Sequence, residues 1–369
     1  MLALTLLVST FAASASPVVV CGLARTHVGQ VPASARLVAW GRFLTGESRT
    51  LAWLDAKAKV FVFDGGSRRA SAVSQVDAPT AAWAWDDIDR DTRDDLVVGG
   101  PAWLESPGPG GAQTWEAHTQ AKAALRAIKV VDLDADGKLD LVVGTTEGAI
   151  VVWRQVRKQQ WDAHEVVHQG GGGWTTADMN ADGRSDLVFA DGWYETPVDV
   201  ITGEWKHHAL LLPRTHKDAT VFAFDVNADK RIDVVVASPQ AEGPARVTWY
   251  QAPENPNAPW QPHVVFVSTN NTPLQVLPHV SARGTSLIIG DQQGHLTQAE
   301  LSNVGGLRSE CVLSRSFRGD LHKVASTADE TNSFIATETN AQGRVLVVRW
   351  QTPAAKPDQT PTPQPKTRP

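Results

Sequence analysis

The phrase DLDADGKLDLVVG, residues 132 to 144, sets four aspartates and a glycine ahead of an apolar run. It recurs as DIDRDTRDDLVVG from 87, DMNADGRSDLVFA from 178 and DVNADKRIDVVVA from 225, at intervals of 45, 46 and 47 residues. One copy would pass for half of an EF-hand. Four copies at near-constant spacing are a structural repeat, with the period of a four-stranded propeller blade or of a helix pair.

The residues between the phrases decide for strands. Each unit runs through AIKVVDLD, the aspartate loop, LDLVVG, GAIVVWRQV and WDAHEVVHQ or their counterparts. These are short β-branched stretches separated by Gly, Pro and Asn, almost without helical periodicity. The same pattern without its acids recurs at 36–55, 274–291 and 322–339, which makes seven units. A second phrase keeps step: Trp103 with Trp115 and His118, Trp153 with Trp161 and His164, Trp193 with Trp205 and His208, Trp249 with Trp260 and His263. Indoles at fixed places in successive β units are expected to wedge blade against blade, and the histidines to be structural hydrogen-bonders on outer strands. The seventh unit stops after GRVLVVRW (343–350), so ARTHVG (24–29), with His27 in the outer-strand place, is expected to complete it. The expected fold is all-β, a seven-bladed β-propeller of four-stranded blades closed by the N-terminal strand, which leaves no open edge at the seam.

In period and strand context the D-x-[DN]-x-D-G-x-x-D-[LV]-V phrase resembles the FG-GAP/VCBS repeat family of β-propellers, which includes the integrin α-subunit head. The likeness spans roughly residues 24–350, and the tryptophan elaboration resembles bacterial secreted members. Membership implies calcium loops and a seven-bladed ring, and implies no reaction. The chemistry agrees, because Ca²⁺ takes about six to eight oxygens and carboxylates at positions 1, 3 and 5 of a tight loop converge on one point. With position 9 completing the cage, the expected ligands are Asp87, Asp89, Asp91 and Asp95; Asp132, Asp134, Asp136 and Asp140; Asp178, Asn180, Asp182 and Asp186; and Asp225, Asn227, Asp229 and Asp233. Position 6 calls for a positive φ, which Gly137 and Gly183 supply cheaply. Thr92 and Lys230 depart from the pattern, so the loops at 87 and 225 are expected to be the weaker ones. The expected ligands include 14 of the chain's 40 acidic residues; without them the formal charge of −6 becomes +8, so the acidity is concentrated at a few points.

The two ends read differently from the body. LALTLLVSTFAASAS, with Ala13-Ser14-Ala15 before a cleavage point, reads as a signal peptide over residues 1–15, although no basic residue precedes it; a buried first strand is the alternative. Residues 16–351 then form the propeller, and 352–369, rich in Pro and Thr, a disordered tail. No later apolar run reaches the length of a membrane span. Cys21 and Cys311 are either one disulfide in an exported protein or two buried thiols.

Nucleophile elbows, phosphate loops, HExxH and basic runs for nucleic acid are absent from the sequence. In propellers of this kind the face opposite the calcium loops usually holds the ligand. Segments assigned to that face carry Arg214, His216 and His322, the candidate ligand contacts. The favoured reading is an exported, secreted or periplasmic, calcium-binding monomer that recognises an extracellular protein or glycan. The alternative is a carbohydrate-active enzyme of lyase or dehydratase type.

Overall fold

The computed structural model describes residues 18–353 apart from 45–48, 65–68, 76–82, 99–101, 108–114, 120–124, 159, 167–172, 211–218, 256–257, 282–283, 303–305 and 324–332. The expected signal peptide, and all but Thr352 and Pro353 of the expected tail, lie outside these residues. Every regular element among them is a strand, and no helix is long and apolar enough to cross a membrane.

The strands form seven antiparallel sheets arranged as blades of a ring. Blade 1 covers 37–75, blade 2 83–119, blade 3 125–166, blade 4 174–209, blade 5 220–267 and blade 6 275–314. Each of these six is a four-stranded meander, as in blade 3 with Leu125–Val131, Asp140–Thr145, Ile150–Arg157 and Gln160–Val166. Blade 7 takes Phe317–Lys323, Ser333–Thr339 and Val345–Gln351 from the end of the chain, and Leu23–Val31 from its start. In that pairing Ala24 stands opposite Gln351 and Val31 opposite Val345. A short fifth strand, Val18–Val20, pairs with Leu23–Arg25 on the outside, a strand the sequence reading did not contain.

Burial explains the sequence pattern. Second strands such as Asp95–Val98, Asp186–Phe189 and Asp233–Ser238 are buried at every residue, because neighbouring blades cover both faces. They therefore read as continuous apolar runs without alternation. Fourth strands such as Lys206–Ala209 form the exposed rim. Among the described residues the buried apolar side chains fall into seven clusters, one at each blade-to-blade interface. Trp103 and Trp161, for instance, meet edge to face at 6.3 Å between blades 2 and 3. Stability of such a ring accumulates interface by interface.

Three of the four recurring histidines stand directly across from the third-strand tryptophan: His118 from Trp103, His208 from Trp193 and His263 from Trp249. Each also reaches a polar residue two positions beyond that tryptophan, His118 to Glu105 at 2.7 Å, His208 to Glu195 at 2.9 Å and His263 to Gln251 at 3.3 Å. The structural role expected of them fits this geometry. Blade 3 departs from it, since His164 stands opposite Val152 and stacks toward Trp205 of the next blade. Blade 7 departs as well, and corrects the expectation for His27. Opposite Trp350 is Arg25, whose guanidinium lies 5.9 Å from the indole and pairs with Glu338 at 2.7 Å; His27 faces Val348.

Candidate metal centres

Each acidic loop joins the first and second strands of its blade, and with identical topology round the ring the four loops gather on one face. Their internal hydrogen bonds coincide. The position-1 carboxylates of Asp87, Asp132, Asp178 and Asp225 accept the position-6 N–H groups of Thr92, Gly137, Gly183 and Lys230 at 2.7–2.9 Å. Position 3 accepts from the N–H of position 5, and position 5 from that of position 7. Short side chains that bond their own backbone in this way fold the loop locally.

The loops at 87 and 225 depart from the glycine pattern in residue type and not in path. Thr92 at φ 78° and Lys230 at 70° share the left-handed region with Gly137 at 87° and Gly183 at 91°. Position 4 is left-handed too, with Arg90, Ala135, Ala181 and Ala228 between 58° and 63°, which the sequence did not announce.

The position-9 aspartates have a task beyond the one expected of them. Asp95, Asp140, Asp186 and Asp233 are at most 1% exposed. One oxygen of each accepts the N–H of position 2, at Ile88, Leu133, Met179 or Val226. The other accepts the N–H of Ser106, Gln155, Thr196 or Ala252, just beyond or at the end of the third strand, at 2.8–2.9 Å. These carboxylates clamp each loop to its sheet. Burial pushes Asp95 up to about 8 and Asp140, Asp186 and Asp233 up to about 6, against the N–H bonds that favour ionisation.

In blades 2 and 3, oxygens from Asp87, Asp89 and Asp91, and from Asp132, Asp134 and Asp136, lie within 4.8 Å of one another. Asp87 Oδ1 and Asp132 Oδ1 are buried and accept no hydrogen bond. Convergent carboxylate oxygens with undonated lone pairs fit a hard divalent cation. In blades 4 and 5 the corresponding Asp178 Oδ1 and Asp225 Oδ1 take the N–H of Asp182 and Asp229. Position 7 is basic in all four loops (Arg93, Lys138, Arg184 and Arg231), and Lys138, Arg184 and Arg231 reach the position-5 carboxylate at 2.5–2.6 Å. That regularity is legible in the sequence.

Of the candidate ligand contacts, only the strand position of His322 is described. Arg214 and His216 fall outside the described residues. His322, expected in a loop on the opposite face, lies in Phe317–Lys323, the innermost strand of blade 7, paired with Ile335. It sits next to the strand's end on the side of the acidic loops, because GDLHK continues a strand and does not turn. On that same side a cavity of about 250 Å³ opens at the ring centre, lined among others by Phe222, Phe224, His279, Ser333 and Phe334. Cys21 and Cys311 form a disulfide, with Cα atoms 6.0 Å apart, between the start of the chain and the rim of blade 6.

Fold and loops define a class: a seven-bladed propeller with acidic loops on one face. A family model described as FG-GAP-like repeat matches residues 132–189. Together with the seven-bladed ring, this match supports an FG-GAP/VCBS-type propeller. No curated protein matches the sequence. Among solved structures the chain is similar to the WD40 β-propeller domain of Doa1, at 9% identity and TM-score 0.52, over 89% of this chain and 97% of that one. It is also similar to BBS1N, solved in complex with ARL6DN, at 14% identity and TM-score 0.53, over 90% and 96% of the two chains. At these identities the likeness is one of fold alone.

Proposed function

We propose that the chain is a calcium-ordered interaction module that works in an oxidising compartment outside the cytoplasm, binding a protein or glycan partner and doing no covalent chemistry of its own. The carrying observation is the convergence of carboxylates around Asp87 Oδ1 and Asp132 Oδ1, buried lone pairs that nothing in the protein donates to. Metal would be held by positions 1, 3 and 5 of each loop, with position 9 behind them, and would stiffen the face that carries them. The Cys21–Cys311 disulfide supports the compartment. BBS1N, similar to this chain in fold, is solved in complex with ARL6DN, which favours a protein partner here. Variable connections on a rigid ring are where individual specificity arises.

The test is capture of proteins or glycans from extracellular material, in calcium and in EGTA, by the wild type and by an Arg214→Ala, His216→Ala, His322→Ala triple variant. Calcium-dependent capture that the triple variant loses while its melting stays normal supports the module. Turnover of a polysaccharide by the purified protein, lost in the same variant, would establish the enzyme instead.

A further inference from the structure

Two cations from one five-residue segment enter the acidic loops of two different blades. Arg154, one residue past Trp153 on the third strand of blade 3, places Nε 2.6 Å from Asp134 Oδ2 and a terminal nitrogen 3.3 Å from Asp136 Oδ2. Lys158, in the following turn, places Nζ 2.7 Å from Asp89 Oδ2 in blade 2 and 2.8 Å from Glu105 Oε1. Both receiving carboxylates are deep in their loops, Asp134 at 3% and Asp89 at 0% side-chain exposure. Between the two cations, Gln155 donates its backbone N–H to Asp140 and its side-chain amide to the carbonyl of Ile88, so RQVRK is stitched to both loops.

The other two loops are arranged differently. Position 3 in blades 4 and 5 is asparagine, and Asn180 and Asn227 donate their amides to Asp182 and Asp229 at 3.0 and 2.9 Å. The residue after the third-strand tryptophan is Leu104, Tyr194 or Tyr250 in blades 2, 4 and 5, and only blade 3 has arginine there. Among the described residues, remote cations therefore accompany the loops with three carboxylates at positions 1, 3 and 5, where like charges crowd most, and none is found where an amide has replaced one of them.

We propose that Arg154 and Lys158 are built-in counter-cations, which hold the blade 2 and blade 3 loops folded without metal and are displaced when calcium enters. The proposal rests on the loops being calcium sites. It reverses a ranking by ligand count: the fully acidic, glycine-bearing loop of blade 3 binds calcium less tightly than its own carboxylates would allow.

The experiment uses the full chain with Arg154→Gln, Lys158→Gln and, as a control of equal charge change, Arg157→Gln, whose guanidinium bonds Gln160 away from the loops. Calcium alone is titrated into chelator-stripped protein by calorimetry, and melting is followed in EGTA. A unit charge removed within a few ångströms of the ion is expected to tighten one site about tenfold or more in Arg154→Gln. The same variant is expected to melt about 3 °C or more lower in EGTA. Lys158→Gln, a more exposed and milder change, follows in the same directions, and Arg157→Gln changes neither reading. Calcium binding no tighter than in Arg157→Gln, or unchanged melting in EGTA, overturns the proposal. If neither the wild type nor any variant takes up calcium, the reading of the loops as cation sites fails and the proposed displacement fails with it, whereas calcium uptake that Arg154→Gln does not tighten overturns the counter-cations alone.

Discussion

Blades 2 to 5 and the seam between blades 6 and 7 solve the same problem by different means. Blades 2 to 5 are each one continuous stretch of chain, and their acidic loops are tied down locally by Asx-type bonds and a buried position-9 carboxylate. Blade 7 is assembled from residues more than 300 apart. It is tied by a seven-residue strand register, the Arg25–Glu338 ion pair, Arg25 over Trp350 and the Cys21–Cys311 bond. One region depends on charge balance at a point, the other on closure of a very long loop, whose entropy grows only slowly with length. The first should respond to chelator and pH, the second to truncation.

The largest effect is expected at the seam. Deleting residues 18–31 strips blade 7 of its fourth strand and leaves Val345–Gln351 as an open edge, a template for aggregation. Loss of the cooperative melting transition and aggregation in size-exclusion chromatography are expected, while deletion of 354–369 leaves melting unchanged. Equal tolerance of both deletions would show that the ring does not rely on its N-terminal strand.

A smaller effect separates the acidic blades. Without metal, burial lifts the position-9 aspartates from an ordinary 3.8 to about 8 for Asp95 and about 6 for the other three. A raised carboxyl holds its proton more tightly folded than unfolded. This contribution to stability is therefore complete below about pH 4 and fades as pH rises through about 6 and then about 8. In EGTA the melting temperature should fall across that window, and calcium, by favouring the ionised form, should flatten the fall. A metal-free melting temperature that climbs over the same window would refute the burial argument.

The smallest effect is inside one loop. Thr92 sits at φ 78° where Gly137 sits at 87°, and a Cβ on Gly137 would meet nothing closer than 3.7 Å. Only backbone strain then distinguishes the two. Thr92→Gly is expected to stabilise by about 0.5 to 1 kcal/mol and Gly137→Thr to destabilise by about 1 to 2 kcal/mol. Opposite signs in chemical denaturation would mean that the loops do not share one backbone path.

The contrast also separates what was legible in the sequence from what was not. The ring and its seven units followed from one phrase repeated every 45 to 47 residues, because a local loop writes its acids within nine consecutive letters. The seam was partly legible: a unit one strand short needed a partner, and Leu23–Val31 pairs there. Its register was not legible, since pairing of distant strands is fixed by packing on both faces; hence Arg25, and not His27, stands across from Trp350. The same limit hid the shift that sets His164 opposite Val152, and the strand that absorbs GDLHK and carries His322 to the loop face. The clamp made by position 9 was invisible because its donors, Ser106, Gln155, Thr196 and Ala252, lie 10 to 19 residues downstream.

The most direct test of the loops as cation sites is metal content and melting of one preparation, stripped with EGTA and then returned to calcium. With a dissociation constant of about 0.1 mM and about 1 mM free ion, each site contributes about 1.4 kcal/mol, so four independent sites give roughly 5 to 6 kcal/mol. About four calcium ions per chain and a clearly higher melting temperature in calcium are expected. A melting curve that EGTA does not move, together with no bound calcium, would contradict the assignment.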